Sequence, residues 1–121
     1  MSKPPKRWEL KDRKVLRTIR RLAGEPAKVA ATKRAVFDMA ALRLTKAGVC
    51  QAICDWIDGD ETVVETITTN IPEHTGEPAY EFQPNIDGHD MFIKVTTYEG
   101  ATGRKLLLLI SAHKQQGGQR Q

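Results

Sequence analysis

The stretch DMFIKVTTYEGATGRKLLLLISA, residues 90–112, holds the two clearest strands of the chain. From Asp90 to Tyr98, Met91, Ile93 and Val95 alternate with Phe92, Lys94 and Thr96, the period of two expected of a strand with one buried face. Glu99 to Gly103 has the composition of a hairpin loop. Lys105 to Ala112 is almost unbroken Leu and Ile, which predicts a central strand covered on both faces.

Working back from this hairpin, Asn85 to Gly88 reads as a turn and Ala79 to Gln83 as a short strand bounded by prolines. Ile71 to Pro78 reads as a loop. Thr62 to Thr69, TVVETITT, is rich in β-branched residues and predicts a further strand. Upstream of Asp58-Gly59-Asp60 the period changes to that of helices. Val49, Cys50, Ile53, Cys54, Trp56 and Ile57 form the buried stripe of a helix beginning near Thr45. Thr32 suits the N-cap of a helix reaching about Leu44, with Val36, Met39, Ala40 and Leu44 apolar. Val15, Leu16, Ile19 and Leu22 make the stripe of a first helix from about Glu9 to Ala23, ended by Gly24-Glu25-Pro26. Residues 1–8 read as a basic disordered arm, residues 9–114 as a single domain and residues 115–121 as a disordered polar tail. Helices followed by consecutive strands favour an α+β fold, with N-terminal helices packed on one face of an antiparallel β-sheet.

The 121 residues suit one domain, and the formal net charge of +4 is unevenly placed. Residues 1–21 carry nine Lys or Arg against Glu9 and Asp12, a segment charge of +7, so the remainder sums to −3. A cationic segment on a mildly acidic body suits a polyanion or an acidic protein partner, and equally a solvated helix face. No apolar run is long enough to span a membrane, and the N-terminus lacks the apolar stretch of a signal peptide. A cytoplasmic location is therefore expected.

His74, His89 and His113 lie in separate segments without ligand spacing, so no metal site and no cofactor is expected. Cys50 and Cys54, at i and i+4 among apolar residues, read as buried structural cysteines. There is no phosphate-cradling glycine loop and no Gly-x-Ser-x-Gly elbow. What remains is acid–base chemistry at the sheet. Glu65 sits in a strand of Val, Ile and Thr, Lys94 in an apolar strand, and His113 where the last strand meets its basic end. Metal-free cleavage of RNA needs a base for the 2′-hydroxyl, a cation for the phosphoryl oxygens and an acid for the leaving 5′-oxygen. Each residue also fits a plainer role: a solvent-side glutamate, a cross-strand lysine, a surface histidine.

Several segments, in order, resemble the motility quorum-sensing regulator (MqsR) toxins, a branch of the RelE-like mRNA interferases. Ala31-Thr32-Lys33-Arg34-Ala35 resembles the family's Thr-Thr-Arg-Ser-Ala, and Gly48-Val49-Cys50-Gln51-Ala52-Ile53 its Gly-Met-Cys-Asn-Val-Ile. Ile67-Thr68-Thr69 with His74-Thr75 resembles Met-Thr-Thr followed by His-Thr. Phe92-Ile93-Lys94-Val95-Thr96 resembles Tyr-Leu-Lys-Ile-Thr, and Leu109-Ile110-Ser111 resembles Ile-Val-Ser. The likeness covers roughly residues 12–114. It implies a RelE-like fold, cleavage of mRNA, possession of a cognate antitoxin protein and a toxin's role in a toxin–antitoxin pair.

The family's catalytic set is not carried over: its strand lysine is Glu65 here, its tyrosine Phe92 and its C-terminal lysine His113. The expectation is therefore a metal-independent endoribonuclease with Glu65 as general base and His113 as general acid, similar to RelE-like toxins that use a Glu/His pair. Lys94, Arg104 and Lys114 would hold phosphate and Tyr80 would stack on or position a nucleotide. Arg13, Arg17, Arg20 and Arg21 would meet RNA backbone or an acidic antitoxin segment. The alternative is a non-catalytic nucleic-acid- or protein-binding module on the same fold.

Overall fold

A computed structural model describes residues 7–69 and 71–115. Two strand residues open it, β1 (Trp8–Glu9). Helix α1 (Arg13–Ala23) follows, then a 3-10 turn (Pro26–Lys28) and β2 (Val29–Ala31). Helices α2 (Lys33–Ala41) and α3 (Lys46–Asp58) lead into β3 (Val64–Ile67). A 3-10 turn (Pro72–His74) and β4 (Pro78–Phe82) come next. The chain ends in β5 (Asn85–Ile86), β6 (His89–Glu99) and β7 (Lys105–Lys114). The strand order is β1-β3-β4-β6-β7-β2, with β5 folded back on β6. The fold is α+β, as expected.

The helices begin where their caps allow. Asp12 accepts from the Lys14 and Val15 amides at 2.9 and 3.4 Å, which starts α1 at Arg13 rather than at Glu9. Trp8 and Glu9 are instead an edge strand paired with Glu65 and Val64. The expected arm is thus in the sheet at Trp8, while its residues 1–6 lie outside the described residues, as do 116–121 of the expected tail. Thr32 caps α2 as expected, and Thr45 caps α3. Helix α2 stops at Ala41, short of Leu44, because Arg43 takes a positive φ of 59°.

Two further expectations are corrected. Val29–Ala31, unremarked in the sequence, is a strand parallel to β7, so the sheet is mixed rather than wholly antiparallel. Because β2 borders β7, the Leu-rich strand lies one place from the edge, and Leu106 and Leu108 remain half-buried rather than fully covered.

Directly opposed residues share a face of a sheet. One face carries Glu65, Tyr80, Val95 and Leu109 in one row, and Phe82, Ile93 and Ala112 in the next. Phe82, Ile93, Val95 and Leu109 are fully buried in one cluster with Ile19 and Leu22 of α1, Met39 of α2 and Val49 and Ile53 of α3. This is the helix-covered face. The other, open face carries Val64, Glu81, Lys94 and Ser111 in one row, then Phe92 and His113 in the next.

A β-bulge sets the end of β7. Lys94 opposes Ser111 while Val95 opposes Leu109, so Ile110 is the extra residue. Its carbonyl accepts from the Thr32 hydroxyl at 2.9 Å, and the same hydroxyl accepts from the Ala35 amide at 3.1 Å. One side chain therefore ties the start of α2 to the bulge. Beyond it the alternation is inverted: Ala112 points to the core and His113 to the open face.

Candidate active site

The open face gathers Lys94, His113, Phe92 and Glu81. Lys94 has Glu81 on one side and Ser111 on the other. His113 is two residues beyond Ser111, hence a diagonal neighbour of Lys94 at about 7–8 Å between Cα atoms. Opposite it, Phe92 stacks on the imidazole with ring centroids 5.3 Å apart and an interplanar angle of 26°. Lys94, Phe92 and His113 are all half-buried.

The His113 imidazole has one proton position fixed. Its Nδ1 lies 2.8 Å from the Lys114 carbonyl oxygen. A carbonyl can only accept, so Nδ1 carries the hydrogen and the neutral ring presents a lone pair at Nε2. Lys94 makes no ion pair among the described residues. Glu81 is buried, 5% exposed, and is paired with the Arg7 guanidinium. Arg7 is two residues before Glu9, which opposes Val64, so it reaches Glu81 across the open face. Neither Glu81 nor Arg7 was singled out from the sequence. The signal was the position of Glu81, one residue from Tyr80 in an alternating strand, but only the register shows which carboxylate meets Lys94.

The expected acid–base pair is not brought together. Glu65 is on the helix-covered face, opposed by Tyr80 and Trp8, and accepts from Trp8 Nε1 at 3.1 Å. Lys94 and His113 are on the opposite side of the sheet, so the backbone layer separates Glu65 from both. Tyr80 is only 6% exposed, beside Val15 and Thr18 of α1, and has no free ring face for a base. Burial, then the charges of Glu65 and Asp12, push its phenol up to about 12. It is a core residue with a neutral hydroxyl.

The expected phosphate binders also scatter. Arg104 precedes Lys105, whereas His113 is near the far end of the same strand, a separation of roughly 30 Å at about 3.3 Å per residue. Lys114 opposes Met91 and so belongs to the other face from His113. Arg13, Arg17, Arg20 and Arg21 lie on α1, in the helix layer. Arg20 is bound to Asp58 through Nε at 3.0 Å and Nη2 at 2.8 Å. Asp58 in turn is held below the usual carboxylate range, chiefly by that hydrogen bond.

Neither cysteine is placed for catalysis. Both are buried, and burial pushes the Cys50 thiol up to about 11, with the neighbouring Cys54 adding to it. Among the described residues no group of three His, Cys, Asp or Glu could hold a metal ion, and no helix is long and apolar enough to cross a membrane. His74 forms a separate cluster, with Nδ1 3.0 Å from a Glu77 oxygen and its ring 5.4 Å from that of Tyr98.

No protein-family model, no curated protein and no solved structure matches this chain, so any functional reading starts from the geometry of the open face.

Proposed function

We propose that this protein is a metal-independent endoribonuclease with a RelE-like fold, the toxin of a toxin–antitoxin pair, acting on mRNA through the open face of its sheet. The observation that carries the reading is the joint placement of Lys94, His113 and Phe92 on that face. Cleavage of a ribose phosphate needs a proton acceptor, a cation and a proton donor; His113 offers the first and Lys94 the other two, with Phe92 stacked on the imidazole.

The roles differ from those the sequence suggested. With Glu65 behind the sheet, the group that takes the 2′-hydroxyl proton is His113, at Nε2. The 2′-oxygen then bonds to phosphorus and the bond from phosphorus to the 5′-oxygen breaks. The Lys94 ammonium stabilises the charge growing on the phosphoryl oxygens and gives the leaving 5′-oxygen its proton. The products are a 2′,3′-cyclic phosphate and a 5′-hydroxyl. Phe92 orients the imidazole by stacking, and Glu81 holds the Arg7 guanidinium on this face, opposite Lys94.

The test is incubation with a long RNA in EDTA. The native protein is expected to cut. His113→Ala should lose about 10²–10⁴-fold in rate, the usual contribution of a general base or acid. Lys94→Ala should lose activity comparably, whereas Glu65→Gln, which keeps an acceptor for Trp8, should cut at close to the native rate. Full activity in His113→Ala would refute the site, and loss confined to Glu65→Gln would restore the other face.

A further inference from the structure

On the helix side of the molecule, away from the face just described, α1 borders a groove of ≈ 880 Å³. Its wall is a row of cations. Arg13, Arg17 and Arg21 recur every four residues, so they share one side of the helix. All three are exposed and form no ion pair among the described residues. The floor is apolar, from Leu16 and Ile57, both packed against the core. The far rim holds Asp58, already neutralised by Arg20, and Asp60.

We infer that this groove docks an acidic amphipathic helix of a protein partner. The inference does not depend on the ribonuclease reading. Guanidinium groups one helical turn apart match carboxylates at i and i+4 of a facing helix. The Leu16–Ile57 floor takes the apolar residues lying between those carboxylates. Eleven residues of α1 give a seat about 16 Å long, enough for three turns of partner helix.

Two other anionic occupants fit less well. Single-stranded nucleic acid is held by aromatic side chains on which bases stack, and none lines the groove. A membrane surface would need α1 to present its apolar stripe, but Ile19 and Leu22 are fully buried in the core.

The test uses the full chain and a fluorescently labelled peptide of about 16 residues with leucines at i, i+4 and i+7 flanked by glutamates. Controls are the same composition scrambled to remove the stripe, and oligouridine of about 12 nucleotides. Saturable binding of the amphipathic peptide is expected, at least about tenfold tighter than that of the scrambled one. It should weaken by about tenfold or more in Arg17→Glu, with the fold of that exposed-site variant verified by circular dichroism. Failure of the peptide to bind overturns the proposal, as does equal binding of the scrambled peptide or indifference to Arg17→Glu. Oligouridine binding that is tighter than the peptide's and lost in Arg17→Glu would overturn it in favour of a nucleic-acid surface.

Discussion

Replacing Thr32 by Val should destabilise the protein by about 2–3 kcal/mol, more than most single hydroxyls are worth. The residue sits at φ −69° and ψ 162°, extended backbone that Val adopts without strain, so only the hydroxyl is lost. That hydroxyl has two bonds. As an N-cap it accepts from the Ala35 amide at 3.1 Å, a role worth typically about 1 kcal/mol. As a donor it reaches the bulge carbonyl of Ile110 at 2.9 Å, where a net hydrogen bond is worth about 0.5–1.5 kcal/mol and an orphaned buried carbonyl costs about 1–3 kcal/mol. The Ile110 residue is only 6% exposed, so water does not readily replace the donor. The assay is urea unfolding followed by circular dichroism, with midpoint and slope fitted together. Thr32→Ser keeps both bonds and should cost under about 1 kcal/mol, the loss of one methyl. Thr18→Val removes a hydroxyl bonded only to the Lys14 carbonyl within α1 and should change stability by under about 0.5 kcal/mol. A Thr32→Val cost no larger than that of Thr18→Val would refute the coupling of cap to bulge.

Tyr80 should make the protein sensitive to alkali. Its phenol is pushed up to about 12 from 10.0, so the fold favours the neutral form. That stabilisation is complete below pH 10 and is lost as pH rises through about 12; a shift of this size corresponds to roughly 2–3 kcal/mol. Tyr80→Phe should remove this part of the alkaline loss, and an unchanged alkaline unfolding curve would contradict the placement. The cysteines should resist alkylation: with Cys50 buried and its thiol pushed up to about 11, iodoacetamide at pH 8 should modify native protein far more slowly than protein unfolded in guanidinium. Equal rates, read by mass spectrometry, would place α3 at the surface.

Much of this molecule could be read from local pattern alone. The stripe Val49, Cys50, Ile53, Cys54 fixes α3 because a period of 3.6 admits only one buried side, and Thr32 and Thr45 mark their helix starts because a cap is a contact of neighbouring residues. The alternation of Met91, Ile93 and Val95 likewise fixes the buried side of β6. Short elements without a period escaped. Val29–Ala31 is a strand because β7 offers it a parallel partner 78 residues later in register, and Trp8–Glu9 because β3 offers it an antiparallel one. Neither pairing leaves a mark in three residues of sequence.

What tertiary structure alone decided is which functional groups share a face. Continuing the alternation of Leu107 and Leu109 would bury Ser111 and His113. The bulge at Ile110 inverts it and brings His113 beside Lys94. Glu65 and Glu81 are both carboxylates in β-rich segments, and only the β3–β4–β6 register places one behind the sheet and the other opposite Lys94. A strand's period is written in its own residues, but its register belongs to the pair of strands, and a shift of one residue carries every side chain to the other face.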